Sequence, residues 1–68
     1  MRAFYTAPSG FTADLCLYLN RKTTRLTVRE PSGNDILRQD YPSWDAAIDA
    51  LQNIGSGWIN DLTHQPLA

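Results

Sequence analysis

Cysteine and histidine each occur once in this 68-residue chain, and no lysine or arginine follows position 38. A lone Cys16 cannot form an internal bridge, which excludes a disulfide-stapled scaffold and fits a reducing compartment. It lies between Leu15 and Leu17, and the simplest reading makes it a small buried hydrophobe. One cysteine and one histidine, His64, are too few soft ligands for a structural zinc site. Phosphate-cradling glycine motifs are missing, and Gly55-Ser56-Gly57 lacks the spacing of a nucleophile elbow. No catalytic residue, metal or cofactor is therefore expected.

Long apolar runs are missing too. The longest apolar-leaning stretch, Ala13 to Leu19, contains Asp14 and falls far short of the roughly 20 residues that span a bilayer. The first residues lack the apolar segment of a signal peptide. The expectation is a cytoplasmic protein with no membrane partner. Repeats, linkers and low-complexity tracts are not evident.

What is present describes an ordinary folded chain: 43% hydrophobic and 19% charged residues, with a formal net charge of -1. At this length there is room for one small domain, which buries only about 60% of the surface its unfolded chain exposes. The near-neutral total hides an asymmetry. Residues 1–38 hold all six basic residues against Asp14, Glu30 and Asp35, whereas residues 39–68 hold four aspartates and no basic residue. Such a split bears on the choice of partner.

The first half has the two-residue period of half-buried strands. Leu15, Leu17 and Leu19 alternate with Cys16, Tyr18 and Asn20, and Leu26 and Val28 alternate with Arg25, Thr27 and Arg29. Asn20 to Thr23 is a break of hairpin length. Pro31-Ser32-Gly33-Asn34 is the strongest turn signal, with proline presetting one corner and Gly33 or Asn34 supplying a positive φ. A third strand is expected from Asp35 to Tyr41, where Leu37 and Tyr41 share one face and Ile36 conflicts with them unless a bulge intervenes. Phe4 and Tyr5 suggest a short extra strand.

The helix begins after Pro42. Ser43 is a good N-cap, and Asp45 complements the positive end of the helix dipole. Trp44, Ala47, Ile48, Leu51 and Ile54 form an apolar stripe at helical spacing, and Gly55 is placed for a left-handed C-cap. Trp58 to Leu62 is either a short last strand or an irregular segment, and residues 63–68 read as a flexible tail. The expected domain thus covers residues 1–62. Its fold class is α+β: a three- or four-stranded antiparallel sheet with one C-terminal amphipathic helix on one face, in the order β-β-β-α, with a short extra strand at either end as a variant. The string from Gly33 through Ser43 to Ile48 supports this topology and names no family.

Two surfaces are candidates for function. Arg25 and Arg29 should point away from the helix, with Arg21 and Lys22 on the adjoining hairpin, Arg38 on the third strand, and Tyr18 on the same face. Converging cations beside an aromatic ring suit nucleic acid, although a slightly acidic chain is unusual for such a module. The second candidate is a protein contact through Trp58, Asp45 and Asp49. Tryptophan in so small a chain is more often core, and the two aspartates, four apart on a helix, form a solvated acidic face. The leading expectation is a non-enzymatic binding or adaptor domain that works through protein contacts, including contacts with its own copies. Nucleic-acid binding through the basic sheet face is the alternative.

Overall fold

The computed structural model describes residues 1–67. Five strands and one helix follow in the order β1 (Arg2–Thr6), β2 (Thr12–Tyr18), β3 (Thr23–Arg29), β4 (Asp35–Tyr41), α1 (Trp44–Ile54) and β5 (Ile59–Asn60). The strands form one sheet in the order β4-β3-β2-β1-β5 with every pair antiparallel, and α1 packs across one face. The class is α+β. The sheet has five strands instead of three or four, and the helix is followed by β5, which returns to pair with β1.

The β2–β3 register opposes Leu15 to Leu26, Ala13 to Val28 and Leu17 to Thr24. Leu15, Leu26 and Val28 are fully buried, and Ala47 and Leu51 of α1 meet them from above. Each such side chain contributes roughly 1.5–3 kcal/mol by leaving water. On β1, Ala3 and Tyr5 turn toward this core while Arg2, Phe4 and Thr6 turn away, so the strand runs well beyond the Phe4-Tyr5 pair. The adjacent aromatics had hidden its alternation.

Two hairpins close on the same tripeptide, a short repeat in a chain otherwise without one. Pro8-Ser9-Gly10 joins β1 to β2, and Pro31-Ser32-Gly33 joins β3 to β4. In each, the glycine amide donates to the carbonyl before the proline, Gly10 to Ala7 at 2.9 Å and Gly33 to Glu30 at 2.8 Å. Their φ angles are 94° and 98°, a region that favours glycine. Gly10 is further constrained because a Cβ there would lie 3.1 Å from Cγ of Pro31. The two turns therefore lie against each other at one end of the sheet. Glu30 accepts from Ser32 Oγ and Asn34 Nδ2, bonds that hold its carboxyl below the usual range.

Three local expectations need correction. Leu19 is 77% exposed, because β2 ends at Tyr18 and Leu19 already lies in the turn. Ile54 is exposed at the last position of the helix, where the apolar stripe overruns the core. Gly55 is extended (φ -169°) instead of left-handed. The reason is Trp58. Its indole Nε1 donates to the Leu51 carbonyl at 3.1 Å, alongside the Gly55 amide at 3.4 Å, so the helix end is satisfied without a left-handed cap. At the other end, Ser43 Oγ accepts from the Ala46 amide as expected.

The Ile36 conflict is resolved by a register shift. Val28 opposes Leu37 and Arg29 opposes Asp35, which leaves Ile36 as the extra residue. Leu37 and Tyr41 then face the core, and Ile36 is exposed. The segment expected as a tail also has a defined path. His64 donates to the Asn60 carbonyl, Asn60 to Gln65, and Leu67 to Trp58, while Ile59 bridges Pro66. Leu67 packs on the core, so the folded unit extends beyond residue 62. Ala68 lies outside the described residues.

One feature of the core is unfavourable. Thr24 is fully buried on the helix side, and its hydroxyl has no hydrogen-bond partner among the described residues. An unsatisfied buried hydroxyl costs about 1–3 kcal/mol. Thr24→Val keeps the branched shape that suits a strand and removes the orphan group. It should stabilise the protein by about 1 kcal/mol, equivalent to about 4–8 °C in Tm for a chain of this size. Thermal and urea unfolding would measure it; a loss of stability would mean that the hydroxyl is satisfied by water in solution.

Candidate functional site

Among the described residues, the face of the sheet opposite α1 carries no covering layer, and strand register sets its contents. Arg2, Cys16, Arg25 and Asp40 lie side by side across four strands, as do Phe4, Asp14, Thr27 and Arg38, and then Thr6, Thr12, Arg29 and Asp35. Tyr18 and its partner Thr23 lie at the end beside the β2–β3 turn. Every one of these positions alternates with a residue directed at the core. Arg25 and Arg29 therefore point away from the helix as expected, with Arg38 and Tyr18 on the same face.

All six basic residues of the chain gather here or on the adjoining turn. Carboxylates also enter the array. Arg2 holds Asp14 through two hydrogen bonds, Nε to Oδ1 at 3.2 Å and Nη2 to Oδ2 at 2.8 Å. Arg25 Nε donates to Asp40 Oδ1 at 2.8 Å, and Arg29 Nε to Asp35 Oδ1 at 2.7 Å. The sequence split between a basic and an acidic half thus becomes only partly spatial: three aspartates sit among the arginines. Among the described residues, Arg21, Lys22 and Arg38 make no ion pair.

Two aromatic rings share the face. The guanidinium groups of Arg25 and Arg21 lie 5.4 and 5.7 Å from the centre of the Tyr18 ring, and that of Arg2 lies 5.0 Å from the centre of Phe4. These are cation–π distances. Phe4 is 46% exposed, a large apolar ring on an otherwise polar surface. Thr27 is buried although it faces outward, consistent with arginine stems lying over the strand. A shallow hollow of about 320 Å³ lies among Arg2, Cys16, Tyr18, Arg25, Arg29 and Arg38.

Cys16 lies in that hollow, half-exposed, and is not the buried hydrophobe expected from its leucine neighbours. Alternation decided its side: Leu15 and Leu17 turn inward, so Cys16 turns outward. Sequence reading also missed Arg2 and Phe4, whose signal was the alternation of β1, and the three aspartates, which only strand pairing brings beside the arginines.

The second group of candidates is not assembled. Asp45 and Asp49 are exposed on α1, on the far side of the sheet. Trp58 is 3% exposed, in the core with its indole N–H occupied, so it offers no free surface to a partner. His64 lies in the turn beyond β5 and Cys16 on β2, with β1 between those strands. Among the described residues, no three His, Cys, Asp or Glu side chains are grouped to hold a metal ion. A larger groove, about 490 Å³, is lined by Pro8, Phe11, Ile36, Ile54 and Trp58 among others, with no charged group.

The Arg25 hydrogen bond holds the Asp40 carboxyl below its usual range, with further help from the charges of Arg21 and Arg38. A carboxyl depressed in the folded state contributes stability above its unfolded pKa and loses it as pH falls through the folded one. Asp40→Asn should be less stable than the parent near neutrality, and the gap should close as pH falls below about 4. Urea midpoints measured across that range would check it. A gap independent of pH would show that the pair contributes nothing through charge.

Comparison with protein-family models, with curated proteins and with solved structures finds no match.

Proposed function

We propose that this chain is a non-enzymatic binding domain that works through the open face of its sheet, and that the partner best suited to that face is single-stranded nucleic acid. The observation that carries this reading is the gathering of all six basic residues and two rings, Phe4 and Tyr18, on one open face and its adjoining β2–β3 turn. Phosphates are met by cations, and every base offers a π-face to an exposed ring whatever its sequence. The excess charge is local: six cationic groups against three interleaved aspartates, with Asp61 at the rim beside Thr6. The acidic total of the chain does not describe this face.

The aspartates limit what the face can bind. Arg2, Arg25 and Arg29 already have partners, which leaves Arg21, Lys22 and Arg38 to neutralise phosphates. Three contacts on a single strand correspond to a slope of about -2 in log affinity against log salt. Binding of this kind is moderate, tolerant of sequence and sensitive to ionic strength. The reading as an adaptor for proteins gains no support from Trp58. It keeps one specific feature, the free β4 edge of the sheet.

Fluorescence anisotropy with labelled oligonucleotides at several salt concentrations tests the proposal. Single strands should bind with the slope given above. Phe4→Ala and Tyr18→Ala should each weaken binding by about 1–3 kcal/mol. Arg21→Ser with Lys22→Ser should flatten the salt dependence while leaving the fold unchanged. These are cleaner variants than charge reversal at Arg25 or Arg29, which would set like charges against Asp40 or Asp35. No retention of DNA or RNA single strands at low ionic strength would overturn the reading.

A further inference from the structure

The two edges of the sheet are treated differently. On one side β5 is only two residues long, and Pro66 and the returning chain cover it. On the other, β4 is seven residues long, contains no proline, glycine or lysine, and among the described residues has no strand beyond it. Proteins commonly blunt such an edge with proline, a bulge or charged side chains, lysine above all; the charges on this edge, Asp35, Arg38 and Asp40, are of both signs. Here the bulge disturbs only the start of the strand, at Ile36. Leu37 to Tyr41 remains a regular stretch of five residues, paired with β3 on its inner side alone among the described residues.

We propose that β4 pairs antiparallel with β4 of a second copy of this chain, about a two-fold axis at Gln39 that is normal to the sheet. An axis in that direction keeps the open faces of the two copies on the same side. Residues that oppose one another must then share a face, so the sum of their numbers must be even. Centring on Arg38 would set that arginine against itself. Centring on Gln39 instead opposes Arg38 to Asp40 of the second copy, and Asp40 to its Arg38, on the open face. On the helix side it opposes Leu37 to Tyr41 of the second copy, and the reverse. Opposite charges and apolar-aromatic pairs directly across a ladder are each favourable. The edge is complementary to itself in this register.

Three observations agree with this occupant. Arg38 makes no ion pair within its own chain among the described residues, whereas Asp40 is already held by Arg25 and would accept from both sides. Leu37 and Tyr41 are only half-buried, so a neighbouring strand and its side chains have apolar surface left to cover. The helices also have room. Helix α1 contacts β2, β3 and β4, centred over β3. The two β3 strands of a paired assembly would stand about 14 Å apart, three strand spacings. Helices in direct contact are about 8–10 Å apart, so neither excludes the other. The product is a continuous ten-stranded sheet whose open faces lie on one side. This inference does not depend on what that face binds, although it ties up Arg38 and leaves Arg21 and Lys22 of each copy free for phosphate.

Sedimentation over a concentration series is expected to show a reversible monomer–dimer equilibrium. Arg38→Glu should raise the dissociation constant about tenfold or more, because it replaces two opposite-charge pairs with two like-charge pairs. Register is tested by cross-linking in a Cys16→Ser background. Residues directly opposed have Cβ atoms about 4.5–5.5 Å apart, close to disulfide range. Gln39→Cys should form a covalent dimer on mild oxidation. Arg38→Cys and Asp40→Cys should each remain largely monomeric alone and cross-link when mixed. Circular dichroism confirms that each variant is folded. A folded chain that stays monomeric at high micromolar concentration would overturn the proposal. So would cross-linking of Gln39→Cys no faster than that of Thr63→Cys, on the exposed turn near the opposite edge.

Discussion

The pairing of Leu15 with Leu26 beneath the helix holds the rest of the molecule in place. Both side chains are fully buried against Ala47 and Leu51. Because side chains alternate along a strand, a slip of β3 by one residue would carry Arg25 under the helix and expose Leu26. An arginine in that position would lose its hydration without a partner. The core therefore decides the chemistry of the opposite face without touching it.

That face has a problem of its own. Arg25, Arg29 and Arg38 lie on adjacent strands with Arg2 two strands away, and like charges on neighbouring strands repel. The aspartates answer this by alternating with the arginines, as in the row Cys16, Arg25, Asp40 and the row Asp14, Thr27, Arg38. The pairing stabilises the isolated protein and removes cations from use at the same time. What remains available sits at two places: the β2–β3 turn with Arg21 and Lys22, and the outer strand with Arg38. These flank Tyr18 and the shallow hollow, which gives the surface a direction along which an extended ligand could run.

The two ends of the sheet differ for a related reason. The chain after the helix is long enough to return to β1, seal that edge with β5 and fold Leu67 onto the core. Trp58 makes this possible by filling the space below the helix end and donating to Leu51. Nothing in the described chain is left to cover β4. The open strand and the unpaired Arg38 upon it are consequences of where the last segment went.

Alternation, turn chemistry and the helix N-cap were legible in the sequence. Those signals placed β2, β3, β4 and α1, put Arg25 and Arg29 outward, and flagged the Ile36 conflict that a bulge resolves. They are local properties, each decided within a few residues by sterics and hydrogen bonding. What the sequence alone could not decide was which strands would be neighbours. Pairing across the sheet set Asp14, Asp35 and Asp40 among the arginines, brought β5 back to β1, buried Trp58 and placed Arg2 beside Cys16. These depend on contacts between residues far apart in the chain, whose energies exist only once the core has closed. Local pattern thus determined the two faces of the sheet, and tertiary structure alone decided which charges on the open one are already paired and which edge is left free.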